Sequence, residues 1–381
     1  MVITIADLTA KVDELRNGRA AVAALAYPDA DRETFKSEVI TIVDKLLSVD
    51  FRVDFAPYTQ EEYVSFVWIA AMWLEKMQKA VGDRICDEMA FCVKSVIAKW
   101  DPIQAQRLVV FVYGDYAIRK EKRNKNNNDI DILLTMAART GVPLTKEPVF
   151  IHVPDNYKDH ILANVVLFHE VGHYVDYANA ITEFVFEEIL PLLKQNRVSR
   201  FKREWFPRAD GVDFNTDTSK IPLVKRYIEE YVADIFGAQY AHEHILCYLS
   251  FIRARHSGED TETHPSLHCR RSMVEAFANY CKTNRTTNPL LAAIIKYFPM
   301  PLSQSVCSYE EADLTDAALT FADTNKMLEI FPLAWDVVIR ESKRARIVKY
   351  NVANYEQVLA LPHYIAIDSN IKRAIRDLSQ N

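Results

Sequence analysis

The chain has 381 residues, 49% of them hydrophobic and 26% charged, the balance of an ordinary globular protein with room for two or three structural units. Its net charge of −6 gives no electrostatic reason to expect nucleic acid or an anionic lipid surface as a partner. Glycine is scarce, 8 residues or about 2% against a usual ~7%. Tight turns between strands draw on glycine, so the shortage predicts a mainly helical chain.

Helical spacing of apolar residues runs over 6–25, 34–47, 61–81 and 87–100. The apolar stretch 66–74 is far short of the ~20 residues of a membrane span. The opening MVITIADLTAKVDELR lacks a basic segment followed by an apolar core, so no signal peptide is visible. Six cysteines (Cys86, Cys92, Cys247, Cys269, Cys281 and Cys307) are scattered without a CxxC pair and read as reduced thiols. Together these features predict a cytoplasmic protein.

Two β-like runs follow, RLVVFVY at 107–113 closed by Gly114 and VFIHV at 149–153 closed by Pro154. Between them 119–125 (RKEKRNK) and Asn126, Asn127 and Asn128 form a basic run without interleaved aromatics, read as a solvated connection. A helix is expected over 160–181, a second over 183–195, a polar loop over 196–220 and a long helical pattern over 222–255. A loop with Gly258 and Pro265 leads to further helices. The expected class is α+β, predominantly helical, with a small β-sheet next to the 160–181 helix.

Within that helix, Val166-Leu-Phe-His169-Glu170-Val-Gly172-His173 contains HExxH. Residues four apart lie on one helix face, so His169 and His173 can reach one cation, and Glu170 stands beside it as a base that is not itself a ligand. The flanks are uncharged, which suits a site embedded in a core. Catalytic zinc takes three protein ligands, and Glu230 supplies the third from the 222–255 helix. Asp234, one turn on, is placed to accept a hydrogen bond from the outer N–H of a ligand histidine. Gly172, which costs a helix about 1 kcal/mol relative to alanine, together with Ala233 and Gly237, would let the two helices approach closely. His244 would lie about 21 Å along the axis from Glu230, too far for the same metal, and His242 goes with it. Asp213, Asn215 and Asp217 imitate a calcium loop, but Thr218 stands where glycine is needed and Val224 where the closing glutamate belongs.

The pattern HExxH…ExxAD resembles the gluzincin metallopeptidases, and most closely the branch holding the CAAX-prenyl endopeptidases and heat-shock membrane proteases. The segment His264-Pro-Ser-Leu-His-Cys-Arg270, preceded by Thr263, is similar to that branch's HPxxxxR element. The resemblance spans 169–270, about a quarter of the chain, and this chain lacks the branch's spanning helices. It implies a zincin-like core over 105–285, flanked by helical regions at 1–104 and 286–381. It also implies Zn2+ as cofactor and His264 or Arg270 as stabiliser of a tetrahedral oxyanion. The expected function is hydrolysis of a peptide or protein substrate. Two alternatives stand beside it: a zinc hydrolase of a non-peptide amide, and a catalytically silent zincin-fold interaction protein, against which the intact Glu170 counts. Tyr174, Tyr227 and Tyr231 read as helix-borne tyrosines near the metal, with Tyr231 the one to follow.

Overall fold

The computed structural model describes residues 4–27, 29–80, 87–115, 129–154, 159–195, 198–247, 261–262, 264–347 and 352–380. The basic run 119–128, Cys86, Gly258, Thr263 and the end of the long helical pattern beyond 247 lie outside them. Contacts divide the chain into two units rather than the three expected, Met1–Lys94 with Asp101–Asp159, and Ser95–Trp100 with His160–Asn381. The C-terminal region 286–381 thus belongs with the HExxH helix, and 105–159 with the first unit.

In the first unit, α1 (Ile5–Ala23), α2 (Ala30–Leu47) and α3 (Gln60–Lys79) are each started by a side chain that accepts from the first turn. Thr4 with Asp7 and Thr59 with Glu62 form reciprocal capping boxes that satisfy otherwise orphaned backbone donors. After α4 (Asp87–Trp100), of which Ser95–Trp100 belongs to the second unit, and α5 (Pro102–Arg107) comes β1 (Leu108–Asp115), then α6 (Asp129–Thr140) and β2 (Glu147–Pro154). The strands pair in parallel, from Leu108 opposite Glu147 to Asp115 opposite Pro154. A parallel pair needs a crossover, which α6 provides. Both α2 and α3 pack on β1, and the buried Phe111 ring meets Tyr27 and Phe35 at 5.5 and 5.7 Å between centroids. The sheet expected beside the HExxH helix therefore belongs to the first unit, with α2 and α3. Alternating apolar residues mark a strand but carry no record of which helices will cover it.

In the second unit the expected 160–181 helix is shorter: a 3-10 turn, Ala163–Val166, leads into α7 (Leu167–Asn179). Ala180 closes α7 in the left-handed region, φ 51°, and α8 (Ile181–Gln195) follows. The expected polar loop 196–220 contains a short helix, α9 (Arg200–Trp205), capped by Ser199. The long pattern becomes α10 (Ile221–Ala241) and a 3-10 turn, His242–Leu246. The remaining helices are α11 (Leu267–Thr283), α12 (Pro289–Tyr297), α13 (Glu311–Thr315), α14 (Thr324–Arg344), α15 (Val352–Leu359) and α16 (Pro362–Ser379).

From Glu230 to Ala241 every residue of α10 is buried, because α7, α8, α11 and α14 surround it. The lead-in to α7 is held from the C-terminal side of the sequence. Leu162 N donates to Asp368 Oδ1 on α16 at 3.0 Å, and Leu162 O accepts from Trp335 Nε1 on α14 at 3.0 Å. Burial raises the Asp368 carboxyl, with the Lys372 ammonium 3.3 Å from Oδ2 working the other way. Among the described residues no helix is long and apolar enough to cross a membrane.

Candidate metal centre

Alpha helix α7 presents His169 and His173 one turn apart, with their Nε2 atoms 3.1 Å from each other. From α10, Glu230 places Oε2 3.6 Å from His169 Nε2 and Oε1 3.8 Å from His173 Nε2. One ligand atom from each of the three lies within 4.8 Å of the others. In a tetrahedral site with metal–nitrogen bonds near 2.0–2.1 Å, neighbouring donors stand about 3.3 Å apart. The two-nitrogen, one-carboxylate set therefore fits a zinc-sized cation in both donor chemistry and spacing.

Small residues bring the two helices this close. A Cβ on Gly172 would lie 2.6 Å from Ala233 Cα and 3.0 Å from Ala233 O, and one on Gly237 would lie 3.1 Å from His169 N. At Gly172 backbone thus meets backbone and glycine is required, whereas at Gly237 the nearest atoms would be Ile245 Cδ1 and Cγ1 at 2.6 and 2.7 Å, a side chain.

Behind the donors is a closed polar layer. His169 Nδ1 lies 2.9 Å from Asp234 Oδ1, so the imidazole gives its outer N–H to that carboxylate and keeps Nε2 free to accept a metal. Arg270, 1% exposed, donates Nε to Asp234 Oδ2 at 2.7 Å and Nη2 to Asp234 Oδ1 at 2.5 Å. Its Nη1 lies 3.1 Å from Glu230 Oε2. Burial by itself raises the Asp234 carboxyl, but the Arg270 charge and the bonds from His169 and Arg270 outweigh it and hold the group below its ordinary range. Burial likewise works against the guanidinium, and Asp234 and Glu230 keep it charged. Arg270 is thus turned towards the two carboxylates rather than towards open space, and this clamp is the feature the sequence did not disclose.

The opposite side is open. His173 keeps 26% and His264 22% of the side chain exposed, and Glu170 is exposed outright. His264 Nε2 stands 3.3 Å from Glu230 Oε1, which brings this expected residue to the rim of the donor set. Tyr231 is buried and donates its phenol to Trp205 O at 2.8 Å, while Tyr227 donates to Thr261 O at 2.7 Å. Tyr174 is half-buried. One turn past His173, Asp176 accepts from Thr182 N and Oγ1, both at 2.6 Å. Burial nonetheless raises its carboxyl to about 6.

His242 and His244 stay apart from the centre. His242 Nε2 meets Ser305 O at 3.1 Å, and His244 pairs with Asp336 at 2.9 Å, with the exposed Glu243 nearby. Asp213 and Asp217 accept from the backbone two residues on, at Asn215 and Ser219, as turn formers do. No known protein family, curated protein or solved structure matches this chain.

Proposed function

We propose that this chain is a zinc-dependent peptide hydrolase whose metal is held by His169, His173 and Glu230. The observation that carries the reading is the convergence of those three donors within 4.8 Å, with the exposed carboxylate of Glu170 next to the first of them. A bound zinc ion supplies Lewis acidity, polarising a carbonyl and making a neighbouring water acidic. Glu170 takes the proton from the attacking water and delivers it to the leaving amine. His264, at the open rim, donates to the oxygen on which negative charge develops. Asp234 fixes the tautomer and orientation of His169, and Arg270 holds the Asp234 carboxyl below its ordinary range while standing 3.1 Å from Glu230 Oε2. The step from metal to peptide rests on the likeness of HExxH…ExxAD to the gluzincin peptidases. Among the described residues Cys92, Cys247, Cys269, Cys281 and Cys307 form no disulfide with one another.

The test is zinc stoichiometry, by elemental analysis, in wild type, His173→Ala and Glu170→Gln, alongside cleavage of casein. The proposal requires near-stoichiometric zinc in wild type and in Glu170→Gln, loss of zinc in His173→Ala, and loss of casein cleavage in both variants. Wild-type protein purified without chelator and found free of zinc would refute it.

A further inference from the structure

We propose that Tyr227 is a positioning residue for His264: its buried phenol pins the turn that carries the imidazole, at a height on α10 fixed relative to Glu230. The inference rests on the reading of the centre given under Proposed function. Tyr227 and Glu230 are three residues apart on one helix, hence on one face and about 4.5 Å apart along the axis. The Tyr227 side chain is fully buried, its ring stacks on Phe206, and its hydroxyl donates to Thr261 O at 2.7 Å.

Thr261 is in turn locked to His264. The His264 amide donates to Thr261 Oγ1 at 2.9 Å, the Thr261 amide donates to His264 O at 2.9 Å, and the Thr261 hydroxyl reaches the same oxygen at 3.3 Å. A shift of the Thr261 carbonyl is therefore carried to His264. The imidazole at the far side of this turn stands 3.3 Å from Glu230 Oε1. One stiff helix thus holds a proposed metal ligand and, one turn earlier, the anchor of the imidazole beside it.

The ties made by the neighbouring Glu262 are weaker. Glu262 pairs with Arg208 at 2.9 Å and with Lys220 at 3.9 Å, but its side chain is 64% exposed, and exposed pairs contribute little. Arg226 reaches Glu262 O only at 3.4 Å. The buried phenol is the tie through which α10 holds the Thr261 carbonyl and, by way of the Thr261–His264 bonds, His264.

Tyr227→Phe removes one oxygen and keeps the ring. Three results are expected. Hydrogen exchange at the His264 amide becomes about tenfold faster. Zinc content stays at the wild-type level. The casein-cleavage rate at saturation falls about five- to tenfold, with the half-saturating concentration unchanged. In a His264→Ala background the same substitution removes nothing further, because it acts through His264. Thr261→Val is the second variant should Tyr227→Phe fold poorly: it keeps the carbonyl that the phenol holds but unlocks His264 from it, so it lowers the cleavage rate about as much with zinc content unchanged, and a wild-type rate in Thr261→Val overturns the proposal. Unchanged exchange at His264 overturns the proposal, as does a rate loss of equal size with and without His264. Loss of zinc in Tyr227→Phe also overturns it, since the phenol would then be acting on the metal ligands. The exchange measurement needs neither zinc nor substrate, so its failure is distinguishable from failure of the hydrolase reading.

Discussion

Replacing Gly172 by alanine adds one methyl group at the contact between the two helices that carry the proposed ligands. That Cβ would lie 2.6 Å from Ala233 Cα, 2.9 Å from Phe236 Cβ and 3.0 Å from Ala233 O. The closest of these is about 0.8 Å inside ordinary contact, and it involves backbone, which cannot swing aside as a side-chain tip would. Helices α7 and α10 must therefore separate, and His169 and His173 move away from Glu230. Ligand distances in metal sites tolerate about 0.2 Å, so zinc affinity is expected to fall at least about tenfold. The stability change is smaller. Overpacking costs about 1–3 kcal/mol and the gain in helix propensity offsets about 1 kcal/mol, leaving a net loss of about 0–2 kcal/mol.

Gly18→Ala is the control. Its nearest neighbour would be Leu74 Cδ1 at 3.4 Å, an ordinary contact, so propensity acts alone and stabilises by up to about 1 kcal/mol. The assay is zinc affinity by competition with a chromophoric chelator, with thermal unfolding of the metal-free proteins alongside. If Gly172→Ala binds zinc like wild type and is as stable as Gly18→Ala, the close-contact argument is wrong.

Asp234→Asn keeps an acceptor for His169 Nδ1 but loses the charge that Arg270 faces; zinc affinity should drop about 10–100-fold, read in the same competition assay. Arg270→Met leaves the Asp234 and Glu230 carboxylates buried without their cation, and should cost the metal-free protein about 3–5 kcal/mol in denaturant unfolding. Asp176 gives a pH signature. Its folded value of about 6 lies above the 3.8 of an unperturbed aspartate, so between these values the folded state binds more protons and stability falls as pH rises. The loss is about 3 kcal/mol at most and is complete above pH 6. Asp176→Asn should flatten that fall, gaining on wild type at pH 7 and matching it near pH 3.5; parallel pH–stability curves would rule the assignment out.

The spacing of His169, His173, Glu230 and Asp234 was legible because helical periodicity alone decides which of these residues share a face. Gly172 and Gly237 were legible because glycine inside a helix needs a reason. Arg270 stood in a motif, yet the direction of its guanidinium depends on which buried charge it meets, and nothing local to 264–270 records that. The parallel pairing of β1 with β2 and their cover by α2 and α3 are long-range choices that an alternating pattern leaves open. The short helix at Arg200–Trp205 was hidden by its polar surroundings, although Ser199 in front of it is a recognisable cap.

The two bonds that hold Leu162 have a consequence in time. Trp335 and Asp368 stand 173 and 206 positions further along the chain than the residue they grip. At a synthesis rate of about 5–20 residues per second, Asp368 is added roughly 10–40 s after Leu162. Until Trp335 is made, the HExxH segment exists as nascent chain with neither of these ties on its lead-in. The ribosome therefore delivers every proposed ligand of the centre well before it delivers the residues that hold the lead-in to the first helix.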